Sequence, residues 1–187
     1  MNLNFMINWP DHAGGGRTNF PEKILASLIQ HYRDEVIDFY KEKHGIHIYD
    51  PITTVDLFKT AANYDFNYNF FWKTYEKAYP AKIHTFRSNF RWTEATKIHF
   101  QIWTGKPYNT PTFQFAPVIQ CVSTQKIEII YAEHTESPFI WLDDKPFNDS
   151  IYDISVNDGF PTLNKFNKFF NKDFEGQILH WTPYKYI

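Results

Sequence analysis

The sequence predicts an α+β fold, a helical block followed by a β-barrel, and two periodicities predict it. Ile24, Leu25, Leu28, Ile29, Tyr32, Val36, Phe39 and Tyr40 recur at three-to-four spacing, the repeat of one helix face. From Lys82 onward the period changes to two, in many short segments parted by turn residues. Many short strands with few helices between them argue for a barrel rather than a parallel sheet.

Taken in order, Leu3 to Ile7 alternates weakly and reads as a first strand that Trp9-Pro10-Asp11 ends. Gly14-Gly15-Gly16-Arg17-Thr18 lacks the spacing of a phosphate loop, so it reads as a flexible loop and a candidate lid. Pro21 followed by Glu22 marks a helix start. The apolar stripe then predicts one helix of about five or six turns, ending near His44-Gly45, where glycine can take the left-handed cap. Asp50-Pro51 opens a second helical segment and Asn69 to Ala78 a third. The aromatic run over residues 64–72 is expected to pack against the barrel, since large aromatic faces are usually buried. Strands are expected near 83–87, 97–103, 112–116, 119–131, 139–142 and 177–182. Asp143-Asp144-Lys145-Pro146 reads as a turn and 148–156 as a short helix, and Thr162 can cap another.

The bulk numbers exclude some function classes. With 19 basic and 21 acidic residues the net charge is −2, so no global field draws in a polyanion, and extended duplex DNA binding through a broad basic surface is disfavoured. A small-molecule site or a short single-stranded contact stays open. The single Cys121 excludes an internal disulfide and a cysteine-based zinc site, and its apolar surroundings suggest a buried thiol. His12, His31, His44, His47, His84, His99, His134 and His180 show no metal-binding spacing, so neither a metal nor another cofactor is expected. No signal pattern and no long apolar run occurs, which predicts a soluble, cytoplasmic protein without a membrane partner. Aromatic residues make up 20% of the chain; they can fill a core or stack on bases.

Chemistry concentrates in Lys82-Ile83-His84-Thr85-Phe86-Arg87. A threonine hydroxyl becomes a nucleophile once a base takes its proton, and a desolvated lysine can be that base. On a regular strand Lys82 and Thr85 would face opposite sides. They converge only if Lys82 lies in the turn entering the strand, which Pro80 and Ala81 favour. Trp92 follows this strand, and Lys106 and Tyr108 flank Pro107 in a loop able to rim a pocket.

Lys82-x-x-Thr85-x-Arg87, the following Trp92 and the Lys97-Ile98-His99-Phe100 strand resemble the ASCH domain, a small β-barrel family related to the PUA RNA-binding fold. The likeness continues through Gly105-Lys106-Pro107, residues 118–130, Asn157-Asp158-Gly159-Phe160 and Gly176 to Trp181, and takes in Phe20-Pro21-Glu22-Lys23-Ile24. It implies a single PUA-like domain over residues 1–187 with a helical insertion at about 29–79.

Some ASCH proteins are amidohydrolases that remove the acetyl group of N4-acetylcytidine with a Lys, a Thr three residues later and a Glu. The resemblance implies Lys82 as base, Thr85 as nucleophile and Asp158 at the glutamate position. Asp is one methylene shorter, which moves a carboxylate by about 1 Å and can cost on the order of a hundredfold in rate. Arg87, Trp92, Lys106 and Tyr108 are the expected substrate contacts, for a nucleoside or single-stranded RNA. The alternative is a non-catalytic module that binds RNA or a modified base in the same cleft. A third is a protein-interaction module acting through residues 64–72.

Overall fold

The computed structural model describes residues 1–132, 135 and 137–187. Its elements run β1 (Asn2–Phe5), a 3-10 turn (Asp11–Ala13), α1 (Phe20–His31), α2 (Arg33–His44), α3 (Pro51–Ala62) and α4 (Tyr68–Tyr75). There follow β2 (His84–Arg87), β3 (Lys97–Trp103), β4 (Thr112–Gln114), β5 (Ile119–Gln120), β6 (Ser123–Ile130), β7 (Phe139–Leu142) and β8 (Lys145–Pro146). The chain closes with α5 (Ile151–Asn157), α6 (Leu163–Phe169) and β9 (Phe174–His180). The fold is α+β with two separate sheets, and no closed barrel is detected among the described residues. No helix among them is long and apolar enough to cross a membrane.

The chain divides into two compact units. The first comprises Met1–Asn8, Arg17–Ala81 and Lys97–Ile119. Its central strand β3 lies parallel to β1, with Leu3 opposite Phe100, and antiparallel to β4, with Ile102 opposite Phe113. Alternation along β3 turns Ile98, Phe100 and Ile102 inward. Phe5 meets the rings of Phe20, Phe100 and Phe115 at 6.1–6.2 Å, an aromatic core that explains part of the composition. Of the aromatic run, Tyr64, Phe66 and Phe71 are buried, with Phe66 stacked on Phe58, while Trp72 is exposed.

The single long helix expected over 24–44 is two. Tyr32 leaves the helical region at φ −139°. Its N–H closes α1 on the Leu28 carbonyl, and its carbonyl accepts the Val36 N–H that starts α2. The stripe kept its spacing across the break because each half is helical, so periodicity could not reveal a one-residue interruption. The two halves also differ in burial: α1 is enclosed from Phe20 to Ile29, whereas α2 buries only Val36 and Tyr40.

Tyr40 donates from its hydroxyl to the Phe115 carbonyl at 2.6 Å, deep in this unit. Tyr40→Phe leaves that carbonyl without its partner and is expected to cost about 1–2 kcal/mol, read as a lower urea midpoint at unchanged slope.

The second unit comprises Trp9–Gly16, Lys82–Thr96 and Gln120–Ile187. Its antiparallel sheet has the order β2-β9-β6-β7-β8, so the last strand of the sequence is interior. The strand expected over 119–131 is divided at Cys121 and Val122. Cys121 exchanges backbone bonds with Ala95 and Thr96, and Val122 N–H turns to the His180 carbonyl, which starts the β6–β9 ladder. Cys121 is buried and bonded to the Ser123 carbonyl, and burial pushes its thiol up to about 11, which makes it unreactive. Asp143 and Asp144 both have positive φ, 49° and 63°, and form the two-residue turn of the β7–β8 hairpin.

Caps set the short helices of this unit. Ser150 accepts the Asp153 N–H, and Thr162 accepts the Lys165 N–H. The triple-glycine loop has positive φ at all three residues and is tied down: Gly16 accepts from Trp9, and Lys165 Nζ donates to the Gly15 carbonyl at 2.6 Å. Phe166, Phe170 and Phe160 pack with Trp9, Phe169 and Phe86 into a second aromatic core.

Candidate functional site

Three short segments of the second unit build the site. Regular strand geometry starts only at His84, so Lys82 lies in the extended approach to β2. Ile83 N–H bonds the Asn157 carbonyl at 3.0 Å, which lays this approach along the end of α5. Thr85 and Arg87 share one face of β2 by alternation, and Lys82, being outside the strand, is free of that alternation.

Asp158 caps the C-terminus of α5. Its N–H bonds Ile154, and Gly159 follows at φ 91°, a left-handed conformation suited to glycine just past a helix end. Lys82 Nζ donates both to the Asp158 carboxylate and to its backbone carbonyl. The cation thus satisfies a helix-end carbonyl as well as a carboxylate, and its positive charge offsets the unfavourable placement of that carboxylate at a helix C-terminus. Thr85 donates its hydroxyl to the same carboxylate.

Lys82 is 1% exposed, Thr85 4% and Asp158 5%, so the trio is closed to solvent. Burial lowers the Lys82 ammonium to about 8, against the attraction of Asp158 and helped by the positive charge of Arg87. Burial raises the Asp158 carboxyl, while Lys82, Arg87 and the Thr85 hydroxyl hold it back. The two groups are therefore displaced toward each other, and a proton moves between them more easily than between the same groups in water. Such an arrangement can deliver an unprotonated amine near neutral pH beside an oriented hydroxyl.

Behind the pair lies a second layer. His84 Nε2 and the Tyr186 hydroxyl are 2.7 Å apart, and Asn157 donates its amide to that hydroxyl at 2.9 Å. His84 Nδ1 lies 4.0 Å from the Asp158 carboxylate. His180 faces His84 across the β2–β9 pairing, ring centroids 5.3 Å apart. Burial lowers His84 well below the ordinary histidine range and His180 to about 4, so both rings are neutral at physiological pH.

The other expected contact residues fall as follows. Trp92 is buried at 1%, and its backbone N–H and carbonyl are both held by the Gln177 side chain at 3.1 Å, a core position. Lys106 and Tyr108 belong to the first unit, in the loop between β3 and β4; Tyr108 is 89% exposed, with positive φ, beside the Trp103 ring. Arg87 is half-buried at the end of β2. His84, Tyr186, Asn157 and His180 had no spacing signal in the sequence as site residues, because strand register and the closing segment bring them together. His134 lies outside the described residues, and among those described no group of three or more His, Cys, Asp or Glu is placed to hold a metal ion.

Clefts of about 650 Å³ beside Gln125, Phe147 and Tyr186, and about 520 Å³ beside His12, Asn164 and Asn167, open in the same unit. A third, of about 530 Å³, is lined by Ile29, Arg33 and Tyr75 of the first unit. None of the three is lined by Lys82, Thr85 or Asp158. Comparison with protein-family models, with curated proteins and with solved structures finds no match, so the site is interpreted from its own geometry.

Proposed function

We propose that this protein is an ASCH-like, PUA-like-barrel amidohydrolase of acylated nucleobases or nucleosides of the N4-acetylcytidine kind, acting in the cytoplasm. The observation that carries the reading is the convergence of Lys82 Nζ and the Thr85 hydroxyl on one buried carboxylate, Asp158. Lys82 in its neutral form takes the Thr85 proton as Oγ adds to the acyl carbon. Collapse of the tetrahedral intermediate breaks the C–N bond, and Lys82 returns the proton to the departing amine. The resulting Thr85 ester is then cleaved by water, which Lys82 deprotonates, releasing acetate and restoring the hydroxyl. Asp158 orients Lys82, and Arg87 supplies positive charge to the oxyanion.

Mass-spectrometric detection of cytidine released from N4-acetylcytidine tests this, with Thr85→Val beside the wild type. Valine keeps the shape and lacks the hydroxyl, so turnover should fall by about 10⁴-fold or to background. Because only the neutral amine is a base, kcat/KM of the wild type should rise about tenfold per pH unit below about 8 and level above it. Wild-type protein without turnover overturns the hydrolase reading.

The closure of the trio favours a second reading, a non-catalytic module for single-stranded RNA or a modified base, with Lys82 and Asp158 as an internal latch. The shorter Asp in place of Glu points the same way. In that case Arg87→Ala weakens binding of a short RNA while Thr85→Val does not.

A further inference from the structure

We propose that Tyr186 is a positioning residue of the Lys82–Thr85–Asp158 site, acting through His84, whose Nδ1–H tautomer it fixes with that N–H turned toward Asp158. The inference rests on the site described above and needs no substrate to be tested.

The argument is one of protons and lone pairs. The Tyr186 hydroxyl has a single proton and accepts the Asn157 amide at 2.9 Å. It is buried, so its own proton needs an acceptor, and His84 Nε2 stands at 2.7 Å. If Nε2 accepts, the neutral ring carries its proton on Nδ1, the nitrogen that faces the Asp158 carboxylate at 4.0 Å. The opposite tautomer would leave the tyrosine proton without an acceptor and set the Nδ1 lone pair against a carboxylate. Both consequences are unfavourable in a dry interior.

The groups facing His84 are Lys82 ahead of its own strand, Asp158 and Asn157 at the end of α5, His180 on β9, and Tyr186. Burial, His180 and Lys82 oppose a charge on the ring, so it responds by changing tautomer rather than by protonating. Its plane is held by stacking on Phe86 at 5.4 Å and 8°, which keeps the choice of tautomer from being a choice of ring position. Nδ1 makes no hydrogen bond among the described residues, but an N–H dipole 4.0 Å from Asp158 still favours the carboxylate through space, and a stable carboxylate keeps Lys82 paired. Removing the tyrosine hydroxyl should therefore loosen the pair two steps away.

The experiment is nitrogen-15 NMR of uniformly labelled full-length protein, with the His84 ring signals assigned by their loss in His84→Gln. The wild type should show one neutral Nδ1–H tautomer from pH 5 to 9. In Tyr186→Phe the Nε2–H form should appear, and the Lys82 Nζ titration should move to lower pH, its midpoint at a proton concentration at least threefold higher. A wild-type ring protonated at Nε2, a ring that becomes charged within that range, or a Tyr186→Phe protein with both signals unchanged overturns the proposal. If Tyr186→Phe does not fold, Asn157→Ser replaces it. Withdrawing the amide frees the hydroxyl's accepting side and should let the minor tautomer appear; an unchanged ring overturns the proposal. Wild-type protein without turnover overturns the hydrolase reading alone, because the NMR result is obtained without substrate.

Discussion

Lys82→Ala is expected to destabilise the protein by about 3–5 kcal/mol, measured by urea unfolding at pH 7. The cause is the partner left behind. Asp158 is 5% exposed, and with Lys82 gone its carboxylate loses the ammonium that pairs with it, while the Thr85 bond and the charge of Arg87 remain. The deficit should shrink in acid, because burial has already raised the Asp158 carboxyl and a neutral acid needs no counter-charge. Replacing both members by apolar residues of similar size, Lys82→Met with Asp158→Leu, should come close to wild-type stability.

The same pair gives a pH dependence with a definite sign. Lys82 titrates at about 8 when folded and at the ordinary 10.5 when unfolded. Between those values the unfolded chain binds more protons, so this group makes the folded state more stable as pH rises through that window. Its contribution is fully present above 10.5 and lost as pH falls below about 8. The double variant should lack that slope. A destabilised Lys82→Ala protein would also lose turnover for a reason unrelated to proton transfer, which is why Thr85→Val is the cleaner test of catalysis.

Gly176→Ala is expected to cost about 3 kcal/mol, a fall in Tm of roughly 6–12 °C for a chain of this size. Gly176 lies opposite Ile127 in the β6–β9 ladder, one residue before the pairing of Gln177 with Arg87. A Cβ at this position would run into the Arg87 carbonyl and the Phe174 ring. A ring tip can turn aside, but a carbonyl held in a sheet cannot move without its strand. Because β2 also carries Thr85, a shift there should move the Lys82 titration as well, and NMR of the variant would read both effects. Unchanged stability would mean that β2 yields easily at this edge.

What was legible in the sequence was local. Asp50 accepts from Ile52 and Thr53 at the start of α3, Thr162 caps α6 and Pro21 lies in the first turn of α1, each a relation between residues a few places apart. The alternation of β3 was visible because one face of that strand is buried and the other is not. The possibility that Lys82 leaves the strand was legible from Pro80 and Ala81, again from neighbours. The break at Tyr32 was not, since a single residue outside the helical region leaves the apolar spacing on both sides intact. Nor was the division of 119–131, because period-two alternation does not say which strand a segment pairs with.

The site divides the same way. Composition and motif marked Lys82, Thr85 and Arg87 as the chemical stretch, and the resemblance suggested Asp158, but nothing in the chain's order brings Tyr186 to His84 across 102 positions. The sequence by itself determined caps, periodicities and the types of reactive group, because these depend on side chains a few bonds apart. Only the tertiary structure decided which buried donor meets which acceptor, because that depends on the register of β2, β6 and β9 and on the closing segment that covers them. A desolvated polar group has to find its partner from whatever part of the chain the fold sets beside it.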